Sequence, residues 1–307
     1  MSSPSLVSPC GTGVSHLSAL RERRGILLAL FLCSWLVALS GCLSRREPPD
    51  AHLDPTYIRR DVSYGPLAEQ LADIYLAKTQ KPAPAVVLVH GGSWARGNRQ
   101  RIQRVAVRAV ERGYVAIIIE YRLGPEHPYP QPEQDVLAAI CWVRSQADSL
   151  GVDPQRIAVW GYSAGAQMGL VAAAEPGLAA SLPDCSPAQA VVQACVAGAP
   201  PTDLRRFGDA GPVVDHLGGS QEEVPAVYEA ASPVLVVSKA MPPVFLYHGE
   251  SDWIVDVDHS RKLRDRLVAL EIPVELVETE HGHFSQNRYG DDALTRGFDF
   301  LDRWMKE

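Results

Sequence analysis

Apolar and polar residues follow one another along this chain in blocks that predict buried strands separated by helices. Uninterrupted apolar runs at 85–89 and 114–119 are typical of strands buried on both faces of a parallel sheet. Between them, at 101–112, apolar residues recur at helical spacing with arginines on the opposite face. The same criteria predict further strands at 57–63, 71–76, 157–160, 190–197, 243–247 and 273–277. They predict further helices at 133–147, 166–174, 257–270 and 294–305.

The order of these blocks predicts the fold class. Strands that alternate with helices across short Gly and Pro breaks indicate an α/β protein, with a mostly parallel, twisted sheet and helices on both faces. Residues 57–307 have a length that suits a single domain. Residues 200–240 separate two strands without a clean helix, and we expect a short cap insertion there, above the C-terminal edge of the sheet. A surface excursion without a role is the alternative.

The N-terminal part of the chain is predicted to lie outside this domain. Arginines precede an apolar run at 26–39, which is short for a bilayer span and typical of a signal-peptide core. The run ends in Leu-Ser-Gly-Cys at 39–42, which resembles the bacterial lipobox, whose cysteine is lipidated. We therefore expect a signal peptide at 1–41, a lipid on Cys42, a tether at 42–56 and an extracytoplasmic domain anchored in the bacterial cell envelope. An ordinary cleaved signal peptide is the alternative.

Composition and charge exclude some classes of function. Hydrophobic residues make up 46% of the chain and charged residues 21%, as in an ordinary globular protein with a sizeable core. The formal net charge of −7, without a basic block after the N-terminal region, argues against a nucleic-acid partner. No Cys/His spacing indicates a zinc site, and we expect no cofactor.

The six cysteines allow different interpretations. Two lie in the predicted signal peptide, and Cys42 is the predicted lipidation site. Cys141 lies in a helical pattern and is most simply a small, buried, apolar residue. Cys185 and Cys195 could form a disulfide in an oxidising compartment, but the sequence does not show how closely their Cα atoms approach.

The strongest indication of chemistry is the pentapeptide Gly-Tyr-Ser-Ala-Gly at 161–165, between a predicted strand and a predicted helix. So tight a turn requires glycine at both flanking positions, because side chains there would collide with neighbouring backbone. The turn would expose the Ser163 hydroxyl above the sheet edge, at the positive end of the following helix. We predict that Ser163 is a nucleophile, and a plain helix cap is the alternative.

A serine nucleophile requires a base and a carboxylate that orients the base. In this architecture the chain order is Ser, then Asp, then His. Asp252 follows the predicted strand 243–247, at the C-terminal edge of the sheet, and is the predicted acid. Of the two histidines after the last strand, we choose His283 as the base because an aromatic residue that can pack down follows it, and His281 is the reserve.

The reaction also requires donors for the developing oxyanion. We predict that these are backbone amides of Ala164, directly after the nucleophile, and of Gly91 and Gly92, whose lack of side chains lets the backbone approach the substrate. Trp94 and Tyr162 are predicted to line the substrate pocket. A packed aromatic is the alternative for Trp94.

Six short motifs occur in order along the chain: His-Gly-Gly-Ser-Trp (90–94), Tyr-Arg-Leu (121–123), Asp-Pro-Gln-Arg-Ile (153–157), Gly-Tyr-Ser-Ala-Gly (161–165), His-Gly-Glu-Ser-Asp (248–252) and Gly-His-Phe (282–284). Taken together, they resemble the motifs of the α/β-hydrolase esterases. The most similar branch has an HGG-x-W loop and includes feruloyl- and acetyl-esterase-like enzymes and, further off, kynurenine formamidase. The resemblance covers residues 57–306 and implies the α/β-hydrolase fold with the nucleophile, acid, base and oxyanion donors named above. Many relatives have His-Gly-Phe where this chain has Gly-His-Phe, so His281 stays open as the base.

The expected function is hydrolysis of small or short-acyl carboxylic esters through an acyl-enzyme. The predicted cap carries charged residues, rather than a large apolar lid, at Arg205, Arg206, Asp209, Glu222 and Glu223. The expected partners are a small-molecule ester and, through the lipid anchor, a membrane; the sequence does not indicate an oligomeric state. Two alternatives stay open: amide hydrolysis of the formamidase or peptidase type by the same triad, and a non-catalytic surface-binding lipoprotein with a hydrolase fold.

Overall fold

The computed structural model describes residues 48–79, 82–284 and 291–306. The predicted signal peptide, Cys42 and residues 43–47 of the predicted tether lie outside these residues. The chain from Pro49 onward forms one compact unit. Among the described residues, no helix is both long and apolar enough to cross a bilayer.

An eight-stranded sheet forms the centre of this unit. The strands are β1 (Ile58–Ser63), β2 (Leu71–Tyr75), β3 (Ala83–Val89), β4 (Val115–Ile119), β5 (Val152–Tyr162), β6 (Ala194–Gly198), β7 (Val244–Gly249) and β8 (Val274–Thr279). Their spatial order is β1-β2-β4-β3-β5-β6-β7-β8. The β1–β2 and β2–β4 pairs are antiparallel, and the remaining pairs are parallel. The mostly parallel sheet is therefore confirmed, with an antiparallel edge.

Helices cover both faces of this sheet. They are α1 (Gln103–Glu111), α2 (Gln131–Ser145), α3 (Ala147–Leu150), α4 (Ala164–Ala174), α5 (Pro187–Ala190), α6 (Gly211–Leu217), α7 (Pro225–Ala230), α8 (Pro233–Val236), α9 (Asp258–Ala269) and α10 (Asp291–Met305). Short 3₁₀ helices occupy Pro55–Tyr57, Arg99–Ile102, Pro176–Ser181 and Leu204–Phe207. Along β3, Val87 packs into the core beneath α2 and α4, whereas Leu88 packs into the core beneath α1 and α10. Because successive side chains of a central strand are buried on opposite faces of the sheet, the sequences of these strands are continuous apolar runs.

Several helices and strands begin at other residues than predicted. For α2 and β5 the reason is that the effect of proline on secondary structure depends on its position. Helix α2 begins at Gln131 rather than at 133, since Pro132 in a first turn needs no intrahelical hydrogen bond. Strand β5 extends back through Pro154 to Val152, which pairs with Ala83. The predicted strand at 190–197 begins only at Ala194.

The expected cap insertion contains more regular structure than its sequence indicated. Between β6 and β7 the chain forms the short helices α6, α7 and α8, and each has a proline in its first turn. Each helix is too short to show a helical period, so the prediction of no clean helix was wrong.

The cysteines pair differently from both interpretations. Cys141 on α2 forms a disulfide with Cys185, across a Cα–Cα distance of 5.6 Å and a sequence separation of 44 residues. Cys195 is free and buried in β6, where burial raises the pKa of its thiol above the usual value. Cys141 is therefore not merely a small apolar residue, and a Cys185–Cys195 bridge is wrong. In the chain-entropy description, a loop of this length contributes about 4 kcal/mol to the free energy of unfolding.

Candidate active site

Ser163 lies at the junction of β5 and α4, in a backbone conformation that is rare for a residue with a side chain. Its φ is 55° and its ψ is −125°. A Cβ atom on Gly161 would lie 2.1 Å from the carbonyl oxygen of Gly165, and one on Gly165 would lie 2.2 Å from that of Val89. These contacts confirm that the turn requires glycine on both sides of Ser163.

Three predicted side chains meet at the C-terminal edge of the sheet. The Nε2 atom of His283 lies 2.9 Å from the Ser163 Oγ atom, and its Nδ1 atom lies 2.6 Å from Oδ2 of Asp252. Ser163 directly follows β5, and Asp252 and His283 lie in the loops after β7 and β8. Because these three strands are parallel, their C-terminal ends lie at the same edge of the sheet and the three side chains meet there. An ionised carboxylate only accepts hydrogen bonds, so Nδ1 carries the proton and Nε2 is left to accept the Ser163 hydroxyl.

The loop after β7 holds the Asp252 carboxylate from several sides. Its Oδ1 atom accepts the backbone N–H groups of Ile254, at 3.0 Å, and Val255, at 2.9 Å. Burial by itself would raise the pKa of Asp252, but the hydrogen bonds from His248, His283 and Val255 outweigh burial and hold that pKa below its usual value. The carboxylate is therefore ionised at neutral pH.

His248 also stabilises the loop after β7. It is fully buried, its Nε2 atom lies 2.8 Å from the Val255 carbonyl oxygen, and its Nδ1 atom lies 2.7 Å from the Ser260 hydroxyl. The same Nε2 atom lies 3.4 Å from Oδ2 of Asp252. The only sequence signal for this support was the position of His248 four residues before Asp252.

Of the two histidines considered as the base, His283 is the one whose imidazole reaches Ser163. The aromatic residue after it, Phe284, meets the imidazole edge-on at 5.7 Å between ring centroids but stays 74% exposed. The Tyr162 hydroxyl donates to the backbone carbonyl of His283. Tyr162 is buried and holds the loop that carries His283. Burial raises the pKa of the Tyr162 hydroxyl above the usual value. Its place in the substrate pocket stays a prediction.

The predicted oxyanion donors lie around the nucleophile. A Cβ atom on Gly91 would lie 2.7 Å from the Tyr162 carbonyl oxygen and 3.0 Å from Ser163 Cβ, so the glycine loop (90–94) runs directly against the turn at 161–165. Gly92 has a φ of 154°, and Ala164 opens α4, where a backbone N–H has no intrahelical acceptor. Their action on an oxyanion stays a prediction.

Trp94, predicted to line the pocket, is buried beneath the cap. Its ring stacks on that of His216 from α6, with centroids 4.8 Å apart and an interplanar angle of 8°. Its indole N–H donates to Oε1 of Gln167 at 2.8 Å. The burial favours the packed-aromatic alternative, and a pocket-lining role stays a prediction. Gln167 was missed because a lone amide in an otherwise apolar helix was the only sequence signal for it.

Comparison with known proteins matches this architecture to esterases. Residues 72–267 match the family model described as BD-FAE. The chain is 32% identical to esterase LipC of Mycobacterium tuberculosis over 256 residues, which are 80% of this chain and 60% of that protein. It is 32% identical to esterase LipQ of the same organism over 257 residues, 79% of this chain and 61% of that protein. The chain thus spans less than two thirds of the length of these relatives.

Solved structures show the same fold at lower identity. A truncated carbohydrate esterase from gut microbiota superposes with a TM-score of 0.72 at 22% identity, covering 81% of this chain and 96% of that one. Esterase Est2 of Thermogutta terrifontis superposes with a TM-score of 0.67 at 24% identity, covering 80% of this chain and 93% of that one.

Proposed function

The chain belongs to the BD-FAE family of α/β-hydrolases, and from this we propose that it is a serine carboxylic-ester hydrolase. The observation that carries the proposal is the continuous hydrogen-bonded series from Ser163 Oγ through His283 to Asp252, with distances of 2.9 Å and 2.6 Å. A serine cap of a helix would need no imidazole on its hydroxyl, and a buried histidine would need no serine at a strained turn.

In the proposed reaction, the Ser163 oxygen attacks the ester carbonyl carbon while Nε2 of His283 takes the hydroxyl proton. The C–O bond to the alcohol then breaks, and the imidazolium gives that proton to the departing alkoxide oxygen. Water attacks the acyl-enzyme in the second half, with His283 again taking a proton and then returning it to Ser163. Asp252 keeps Nδ1 protonated throughout and stabilises the imidazolium electrostatically.

The backbone amides of Gly91, Gly92 and Ala164 are the proposed donors to the tetrahedral oxyanion. An oxyanion-hole donor contributes about 3–4 kcal/mol to the stability of the transition state when it is fixed in place beforehand. Backbone amides suit this task because the glycine loop and the start of α4 hold them rigid, so that little reorganisation accompanies the reaction.

The cap favours small or short-acyl substrates. Arg206, Asp209, Glu222 and Glu223 are exposed on it, and Leu235 is its one large apolar side chain with substantial exposure, at 39%, within 204–236. A long acyl chain gains about 0.8 kcal/mol per methylene only where an apolar wall removes it from water. The exposed surface of the cap, where these charged side chains lie, does not offer such a wall.

A substrate panel tests the function and the chain-length preference together. We expect kcat/KM for 4-nitrophenyl acetate and butyrate to exceed that for the palmitate by at least about tenfold, because the long chain loses conformational freedom on binding and gains no buried contact to offset that loss. Initial rates below the micelle concentration of each ester give the comparison, with acetylated sugars, feruloyl esters and formyl-amides as further substrates. Equal rates on acetate and palmitate would contradict the short-acyl preference, and formyl-amides cleaved faster than every ester would assign amide hydrolysis instead.

We further propose that the enzyme works outside the cytoplasm, anchored by a lipid on Cys42. The disulfide between Cys141 and Cys185 supports this, because such bonds persist in oxidising compartments. Bacterial cells fed an alkyne fatty acid should label the wild-type chain and Cys33→Ser, and should not label Cys42→Ser. Label retained on Cys42→Ser, or absent from all three, would overturn the anchor.

A further inference from the structure

The second half of the glycine loop has a backbone that must be held in place from outside. Gly92, Ser93 and Trp94 have φ values of 154°, 54° and 58°, and two of these three residues carry side chains. Such conformations persist only where surrounding contacts determine them. The first half is anchored by His90, whose Nδ1 atom donates to the Gly91 carbonyl at 3.1 Å.

Gln167 supplies the anchor for the second half. Its side chain is fully buried, and its Oε1 atom accepts the Trp94 indole N–H at 2.8 Å. Its Nε2 atom donates to the Ala231 carbonyl at 2.9 Å, between α7 and α8, and to Oε1 of Glu133 at 3.2 Å. Because an indole nitrogen only donates and both other partners accept, the amide has one orientation that satisfies all three bonds.

The same residue is rigidly connected to the nucleophile. The backbone N–H of Gln167 donates to the Ser163 carbonyl at 3.1 Å, so both lie on one face of α4, one turn apart. Ala164, a proposed oxyanion donor, opens that helix. The bond from Trp94 to Gln167 therefore links the loop that carries Gly91 and Gly92 to the helix that carries the other donor.

We propose that Gln167 is a positioning residue that fixes the glycine loop relative to α4, so that the two sets of oxyanion donors converge on one point. The inference rests on the proposed function, because this convergence matters only if an oxyanion forms there. Oxyanion donors act in the transition state rather than on the bound ester, so misplacing them lowers kcat and leaves KM nearly unchanged.

The test compares Gln167→Leu, Trp94→Phe and the double variant with the wild type on 4-nitrophenyl acetate. Trp94→Phe keeps an aromatic ring beside His216 and removes the indole N–H donor together with part of the ring. The matched control is Gln103→Leu, which also removes a buried amide, bonded to the Tyr75 hydroxyl at 3.0 Å on the opposite face of the sheet. Titration of active sites with a fluorophosphonate normalises each rate to folded, reactive protein.

We expect kcat to fall at least about tenfold in Gln167→Leu and in Trp94→Phe, with KM within about threefold, since small displacements of reacting groups cost up to about 10²-fold. The double variant should be no more than about twofold below Gln167→Leu, because both changes break one bond. Gln103→Leu should lower the melting temperature and keep kcat within about twofold.

A kcat of Gln167→Leu equal to that of Gln103→Leu would overturn the inference. A double variant whose loss in kcat equals the product of the losses in Gln167→Leu and Trp94→Phe would also overturn it. If Gln167→Leu does not fold, Trp94→Phe decides: a loss in kcat supports the inference and an unchanged kcat overturns it. A wild-type chain inactive on every ester and amide would overturn the proposed function and this inference with it, whereas an active wild type with unaffected variants would overturn this inference alone.

Discussion

Ser163→Ala is expected to lower kcat on 4-nitrophenyl acetate by about 10⁶-fold and to abolish labelling by a fluorophosphonate. The variant removes the oxygen that lies 2.9 Å from His283 Nε2 and leaves the contacts of Gly161 and Gly165 in the turn unchanged. Loss of the nucleophile leaves only attack by water within the oxyanion site. Initial rates, together with gel fluorescence after probe labelling, measure both effects.

Two comparisons make this result specific. Ser145→Ala, at an exposed position at the end of α2, should keep wild-type rate and labelling. His283→Ala should approach the loss seen for Ser163→Ala, whereas His281→Ala should stay within about threefold of wild type, because loss of a group outside the triad costs little. Labelling that persists in Ser163→Ala would assign the nucleophile elsewhere, and labelling absent even from the wild type would favour a non-catalytic binding protein.

The parts of this site that the sequence predicts are those governed by local backbone geometry. Glycines at 161 and 165 are required by contacts with the carbonyl groups of Gly165 and Val89, and this close packing has a short sequence signature. Asp252 and His283 were found because continuous apolar runs mark the strands, and the ends of parallel strands lie at one edge. Six of the eight strands, all except β5 and β6, were predicted to within two residues of their observed bounds.

The parts that the sequence does not predict depend on contacts between distant segments. Cys141 lies 44 residues from Cys185, and nothing near either residue indicates that α2 and the loop after Pro176–Ser181 meet. The cap helices have four to seven residues each, too few for a hydrophobic period. A hydrophobic period indicates which side chains are buried, but it does not indicate which of the buried side chains contact one another.

Buried polar residues are the hardest to interpret from sequence. Gln167 bonds with Trp94, 73 residues away, and with Ala231, 64 residues away. The sequence shows His248 only as a histidine at the end of an apolar strand. Its contact with the loop that carries Asp252 is shown by the structure. A buried amide or imidazole must find partners, but the sequence does not identify them.

Asp252→Asn should lower kcat by about 10⁴-fold, a smaller loss than that expected for Ser163→Ala or His283→Ala. The Oδ1 position accepts two backbone N–H groups, from Ile254 and Val255. An asparagine must place its carbonyl oxygen there to satisfy them, which turns its NH₂ group toward Nδ1 of His283. That nitrogen must then accept, the proton moves to Nε2, and the imidazole can no longer take the proton of Ser163.

The matched control is Asp256→Asn. The Oδ1 atom of Asp256 accepts the backbone N–H of Asp258 at 2.8 Å, and an asparagine carbonyl can accept it equally well, so kcat should stay within about twofold of wild type. In Asp252→Asn, KM should change little because the ester does not touch the carboxylate, so the loss should appear in kcat when both are measured by steady-state kinetics. A kcat for Asp252→Asn above a tenth of wild type would mean that His283 keeps its tautomer without Asp252, and another group would then have to orient the imidazole.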